Sequence, residues 1–126
     1  MKDLNNLVKA ITTNSKIDES RDFASAVQEH MVAGVRAQHA VQDRGVHTAP
    51  FYVLIGANMP AVLAEIAFVS NPEDEARLKS SEYRELLARS LLLGVKSYLE
   101  ALNRTHMRQL TDGARRSTVT RGGGGR

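Results

Sequence analysis

One carboxylate in this chain sits where an acid has few structural reasons to be. Glu65 lies inside Ala61-Val62-Leu63-Ala64-Glu65-Ile66-Ala67-Phe68, an otherwise apolar run, and no Lys or Arg occurs between residues 45 and 76. In an extended chain Val62, Ala64, Ile66 and Phe68 share one face, and Ala61, Leu63, Glu65 and Ala67 share the other. Apolar residues on both faces mark a strand inside a covered sheet. A bare carboxylate there costs several kcal/mol, so it must be paired, coordinated or protonated. Two plain readings compete with a chemical one: Glu65 neutralises an Arg from elsewhere, or the strand lies at an edge and Glu65 meets water.

The other groups that could do chemistry are scattered. His30 and His39 lie nine residues apart, on opposite sides of a helix, and cannot share a metal there. His47 flanks a strand candidate and His106 falls near the C-terminus. The chain has no cysteine, so thiolate metal sites and disulfides are excluded. It contains no His-Glu-x-x-His, no phosphate-binding glycine loop and no Gly-x-Ser-x-Gly elbow.

The elements that would position Glu65 can be read in order. Leu4, Leu7, Val8 and Ile11 form one face of a helix capped by Asp3, and Thr12-Thr13-Asn14-Ser15 is expected to end it. A second helix follows Asp18-Glu19-Ser20, with Phe23, Val27, Met31 and Val35 as its buried stripe. Ala24 and Gly34 let a neighbour approach that stripe. Asp43-Arg44-Gly45 reads as a turn, and Phe51 to Ile55 as a strand that starts after Pro50. Gly56 to Met59 is too short for a parallel crossover, so pairing with the Glu65 strand would be antiparallel. Asn71 and Pro72 open a helix, and Ser80-Ser81-Glu82 opens the longest one. The face of that last helix is Tyr83, Leu86, Leu87, Leu91, Val95, Tyr98, Leu99 and Leu102, a core stripe.

At 126 residues the chain is one domain at most. Its net charge of +3 is unevenly spread. Residues 1–103 carry 11 Lys and Arg against 13 Asp and Glu, a net of −2, whereas residues 104–126 carry six Arg and one Asp, a net of +5. Two units are therefore expected: a body over 1–103 and a disordered basic Gly/Arg tail over 104–126. Such a tail is either a solvated extension or a contact for RNA or another anionic polymer. No aromatic residue interleaves the arginines to stack on bases, so no nucleic-acid partner is expected. No run is long enough to span a membrane, and the first residues read as an amphipathic helix rather than a signal peptide.

Two strings in this chain are more specific than any of these patterns. Arg44-Gly45-Val46-His47-Thr48-Ala49-Pro50-Phe51-Tyr52-Val53-Leu54-Ile55 and Met59-Pro60-Ala61-Val62-Leu63-Ala64-Glu65-Ile66-Ala67-Phe68-Val69-Ser70-Asn71 resemble the C-terminal half of the zinc-dependent N-acetylmuramoyl-L-alanine amidases, the type 3 peptidoglycan amidases. Ser15 to Ala24 resembles that family's helix entry, and Tyr83 to Leu99 its closing helix, so the resemblance covers roughly residues 2–103.

The resemblance implies an α/β fold, with helices covering a mixed sheet, of which only the C-terminal half would be present. It implies hydrolysis of the amide between N-acetylmuramic acid and L-alanine, with zinc as cofactor and Glu65 as catalytic general base and acid. A low dielectric around Glu65 would raise its proton affinity to suit that role. The family's zinc ligands lie in motifs resembling Gly-His-Gly-Gly and Ser-x-His-x-Asn, and no residue of this chain matches them. No zinc ligand is therefore assigned to it, and His30, His39, His47 and His106 do not occupy ligand positions. The expectation is a fragment, or a product begun at an internal methionine, that is inactive alone and associates with itself through exposed sheet edges. The alternative is a non-catalytic remnant that binds cell wall or a partner. Peptidoglycan is the implied partner, and the implied location of the intact parent is the periplasm or the cell wall.

Overall fold

The computed structural model describes residues 2–119. Two long helices dominate it: α1 (Lys2–Arg36) and α3 (Ser81–Val119), with the short α2 (Pro72–Lys79) leading into α3. Residues 37–71 form an arm between α1 and α2 whose only regular piece is a 3-10 turn at Tyr52–Leu54.

The first correction concerns α1. The expected break at Thr12-Thr13-Asn14-Ser15 does not occur, and one 35-residue helix runs through it. These four residues are mediocre helix formers, costing a few tenths of a kcal/mol each, and the stretch contains neither Gly nor Pro to stop propagation. The stripe expected after residue 20 is present. Val27 and Val35 are buried, and Phe23 and Met31 are half-buried.

α1 and α3 run antiparallel at close range. Gly94 lets the backbones meet: a Cβ there would stand 2.6 Å from the Val27 Cα. On the opposite helix a Cβ at Gly34 would collide with the Ser90 hydroxyl. Ser90 satisfies that hydroxyl by donating to the Leu86 carbonyl at 2.8 Å. Val35, Tyr83 and Leu87 form the buried centre, flanked by Met31, Val41 and Leu78. The stripe expected on α3 is buried at Tyr83 and Leu87 and half-buried at Leu86, Leu91, Val95 and Tyr98, whereas Leu99 and Leu102 face solvent.

Both helix starts expected around residue 71 and residue 80 form. The Asn71 side chain accepts from the Glu73 and Asp74 amides at 2.9 and 3.3 Å, with Pro72 at the first helical position. Ser80 Oγ accepts from the Tyr83 amide at 3.3 Å and donates to Glu82 at 2.8 Å. That arrangement, with the Glu82 backbone N–H, holds the Glu82 carboxyl below its ordinary pKa; the backbone bond is the larger cause.

The second correction concerns the sheet. No strand forms among the described residues, so the mixed sheet and its open edges are absent from them. Phe51 to Ile55 closes into the 3-10 turn, and residues 61–68 run without ladder partners. A two-stranded hairpin alone is marginal in water, and among the described residues no third strand exists to support one. Apolar patterning on both faces marks what a segment can bury, and it cannot supply the neighbours that would bury it.

The third difference lies at the C-terminus. Residues 104–119 continue α3, where composition alone suggested a disordered tail; the final residues, 120–126, lie outside the described ones. Ala, Leu, Met, Gln and Arg in this stretch favour helix, and Arg104 pairs with Glu100 one turn back at 4.0 Å.

Candidate functional site

Glu65 sits in the arm, in extended backbone, and is exposed. The expectation of a buried carboxylate is thus not met in this conformation, because the segment has no sheet around it. Among the described residues Glu65 makes no salt bridge.

The arm is nevertheless held in place. Ser20 on α1 accepts from the Ala61 amide at 3.1 Å, four residues before Glu65. Asp43 accepts from the Gln28 side chain at 2.6 Å and from the Gly45 amide at 2.8 Å. The Gln28 bond first, and the Gly45 bond second, hold the Asp43 carboxyl below the ordinary aspartate range. Gly45 turns the chain there with a φ of 76°, a left-handed conformation that suits glycine. The Arg44 guanidinium lies 5.1 Å from the centre of the Phe68 ring, tying the start of the arm to its end. Asp74 accepts from the Phe68 amide at 3.0 Å, and Arg77 donates to the Ala40 carbonyl at 3.1 Å.

Between the arm and α1 lies a cleft of about 980 Å³. Glu65 lines it together with His47, Lys16, Arg21 and Arg44, above an apolar floor that includes Val27 and Met31. The cleft thus brings the candidate acid, one histidine and four cations, Lys16, Arg21, Arg44 and Arg77, to one surface. It does not gather the other histidines. His30 Nδ1 is engaged with the Ala26 carbonyl at 2.9 Å, His39 packs edge-on against Tyr83, and His106 lies far along α3.

The donor set does not fit a zinc ion. Among the described residues no group of three or more His, Asp or Glu side chains is clustered to hold a metal. His47 Nε2 is itself 2.7 Å from the Arg44 carbonyl. The cleft presents an exposed carboxylate, an imidazole and cationic side chains to one solvent-facing surface.

Sequence reasoning gave Ser20 as part of a helix start and Asp43-Arg44 as a turn, and did not see that they anchor the arm. Their polar character next to an apolar stripe was a signal, but the partners are 15 to 41 residues away in sequence and no local pattern links them.

Comparison with known proteins accounts for this arrangement of strings. The family model described as N-acetylmuramoyl-L-alanine amidase matches residues 5–97, a stretch that holds α1, the arm with Glu65, α2 and the first half of α3. The chain is 36% identical over 83 residues to the Bacillus subtilis uncharacterized protein YqiI, covering 66% of this chain and 38% of that protein. It is 35% identical over 86 residues to the Bacillus subtilis N-acetylmuramoyl-L-alanine amidase LytC, covering 68% of this chain and 16% of that one. With the Escherichia coli N-acetylmuramoyl-L-alanine amidase AmiA it shares 33% identity over 69 residues, 55% of this chain and 24% of AmiA. The chain therefore spans well under half the length of these curated relatives. No solved structure gives a significant match. With the match running through both helices and through the arm that carries Glu65, the chain belongs to the type 3 N-acetylmuramoyl-L-alanine amidase family.

Proposed function

We propose that this chain supplies the general base and acid, Glu65, of a zinc-dependent amidase that cleaves the N-acetylmuramoyl–L-alanine bond of peptidoglycan in the cell wall or periplasm. The observation that carries the reading is that Glu65, the one acid in an apolar run, lies within the family match and is exposed at the cleft. There it is accessible to a substrate amide. In this role its carboxylate takes a proton from the attacking water and delivers it to the departing L-alanine nitrogen as the C–N bond breaks. Lys16, Arg21 and Arg44 on the same cleft suit the acidic groups of a muropeptide.

In this reading the zinc comes with the ligand-bearing part of the family domain, since no metal-holding cluster occurs among the described residues. The test is reconstitution. The chain is mixed with a segment carrying the family's Gly-His-Gly-Gly and Ser-x-His-x-Asn motifs, and peptide release from purified peptidoglycan is measured. Release by the mixture, and by neither component, supports the reading. No release from a mixture shown to form a complex would overturn it.

A second reading, a non-catalytic remnant that binds cell wall, is favoured by the scattered metal donors. It predicts co-sedimentation with insoluble peptidoglycan that survives loss of Glu65 and falls on removal of residues 104–126.

A further inference from the structure

The family match ends at residue 97, yet α3 continues as helix to Val119. Past Tyr98, which stacks on Phe23 of α1, every α3 side chain from Leu99 to Arg116 is exposed. The stretch is two-sided. At about 100° per residue, Leu99, Leu102, His106 and Leu110 fall within an arc of about 80°. Arg104, Arg108 and Arg115 fall within about 40° of one another on the opposite side of the helix. Lys96 and Arg116 border the apolar arc, one on each flank. Leu99, Leu102 and Leu110 are 49%, 46% and 56% exposed. Leucines on one face and arginines on the other are the pattern of a helix that lies in a membrane interface.

Charge is concentrated at the same end of the molecule. Antiparallel packing sends residues 2–17 of α1 out beside the end of α3, and Leu4 and Leu7 are exposed there as well. Residues 2–17 carry three Lys and one Asp, and residues 99–119 carry four Arg, one Glu and one Asp. Each stretch is therefore +2. Residues 18–98 carry eight bases and eleven acids, a net of −3. One end of the hairpin is cationic with uncovered apolar side chains, and the remainder is acidic.

This combination selects the occupant. An anionic polymer is held by cations alone and would leave the leucines without a partner. A second copy would bring the same positive end to the contact. An anionic bilayer surface offers negative headgroups to the arginines and acyl chains to the leucines. No helix among the described residues is long and apolar enough to cross a membrane. A helix of this composition lies along the surface instead, its apolar side sunk about 5–10 Å.

We propose that Leu99 to Arg116 of α3 is a docking surface for an anionic lipid bilayer, with Leu99, Leu102 and Leu110 turned into it. The proposal is independent of the amidase reading. Co-sedimentation of the full chain with vesicles tests it, using phosphatidylcholine alone against an equal mixture of phosphatidylcholine and phosphatidylglycerol. Binding is expected to the anionic vesicles only. It should fall as salt rises from about 0.1 M to about 1 M, where the screening length shrinks from about 10 Å to about 3 Å. Leu102→Gln and Leu110→Gln should each lower binding about tenfold. Arg104→Gln combined with Arg108→Gln should lower it about as much, at roughly a factor of five per charge. Leu110 lies beyond the Phe23–Tyr98 stack, so Leu110→Gln leaves the packed part of the hairpin untouched, and circular dichroism should stay helical.

The chain has no tryptophan, so a single introduced one reports depth. Leu110→Trp fluorescence should shift to the blue on adding anionic vesicles, and Thr111→Trp, on the arginine side, should not. Equal binding to both vesicle types, no binding to either, or equal shifts at the two tryptophans would each overturn the proposal. Binding that needs Arg104 and Arg108 but not Leu102 and Leu110, and that soluble polyphosphate matches, would assign the surface to an anionic polymer and overturn it too.

Discussion

The rings of Phe23 on α1 and Tyr98 on α3 stack 4.8 Å apart, at an angle of 29°. They are the last ring pair between the two long helices before α3 runs on into its arginine-bearing end. The Tyr98 hydroxyl is buried and has no hydrogen-bond partner among the described residues. Burial first, then the nearby Glu19 and Asp22 carboxylates, raise its pKa above the ordinary tyrosine value.

Removing that hydroxyl should therefore cost little. Tyr98→Phe keeps the stack and deletes a polar atom left unsatisfied, so its thermal stability should lie within about 1 kcal/mol of the parent or above it. The sign with pH follows from the raised pKa. The neutral phenol is favoured in the folded state, so its contribution is intact below the unfolded pKa of about 10 and is lost as pH rises through the higher folded value. Melts in alkaline buffer should fall more steeply for the parent than for Tyr98→Phe.

Gly94 is where the helices touch most closely, and it decides the sign of a substitution that is normally favourable. In an open helix Gly→Ala gains up to about 1 kcal/mol. At Gly94 the added Cβ meets the Val27 backbone and the two helices must part, which should cost about 1–3 kcal/mol instead. Gly113 has nothing within 4 Å of its would-be Cβ, so Gly113→Ala should stabilise and serves as the control. Chemical denaturation of the two variants against the parent checks both.

Much of the helical frame was legible in the sequence, because caps and stripes are local. Asn71-Pro72 and Ser80-Ser81-Glu82 opened helices as their chemistry requires, and Phe23, Val27, Met31 and Val35 gave the packed face of α1. The absent strands have one physical cause. The strands around Phe51 and Glu65 were inferred from apolar patterning, and a strand exists only through hydrogen bonds to a neighbour that the described residues do not provide. Glu65 was legible as unusual from its apolar neighbours, but its exposure depends on what covers the arm, and no spacing encodes that. Residues 104–119 are helical because their Ala, Leu, Met and Gln favour helix, a local preference that arginine content does not reveal.

The tie between Gln28 and Asp43 should loosen in acid. Asp43 is held below its ordinary pKa in the folded chain, so the stabilisation is complete above the unfolded value of about 3.9 and is lost as pH falls through the lower folded value. An acid-active protease should then cut the arm near residues 43–50 faster as pH falls below about 3.9. Asp43→Asn keeps an oxygen acceptor and removes the titration, so its cleavage should change less across that range.

The central claim is that Glu65 performs acid–base chemistry in an amidase, and Glu65→Gln tests it most directly. The substitution is nearly isosteric at an exposed position, so helix content and complex formation should match the parent. In the reconstituted mixture, peptide release from peptidoglycan should fall roughly a hundredfold to ten-thousandfold, the range expected for losing a general base. Release at the parental rate by Glu65→Gln would contradict the account.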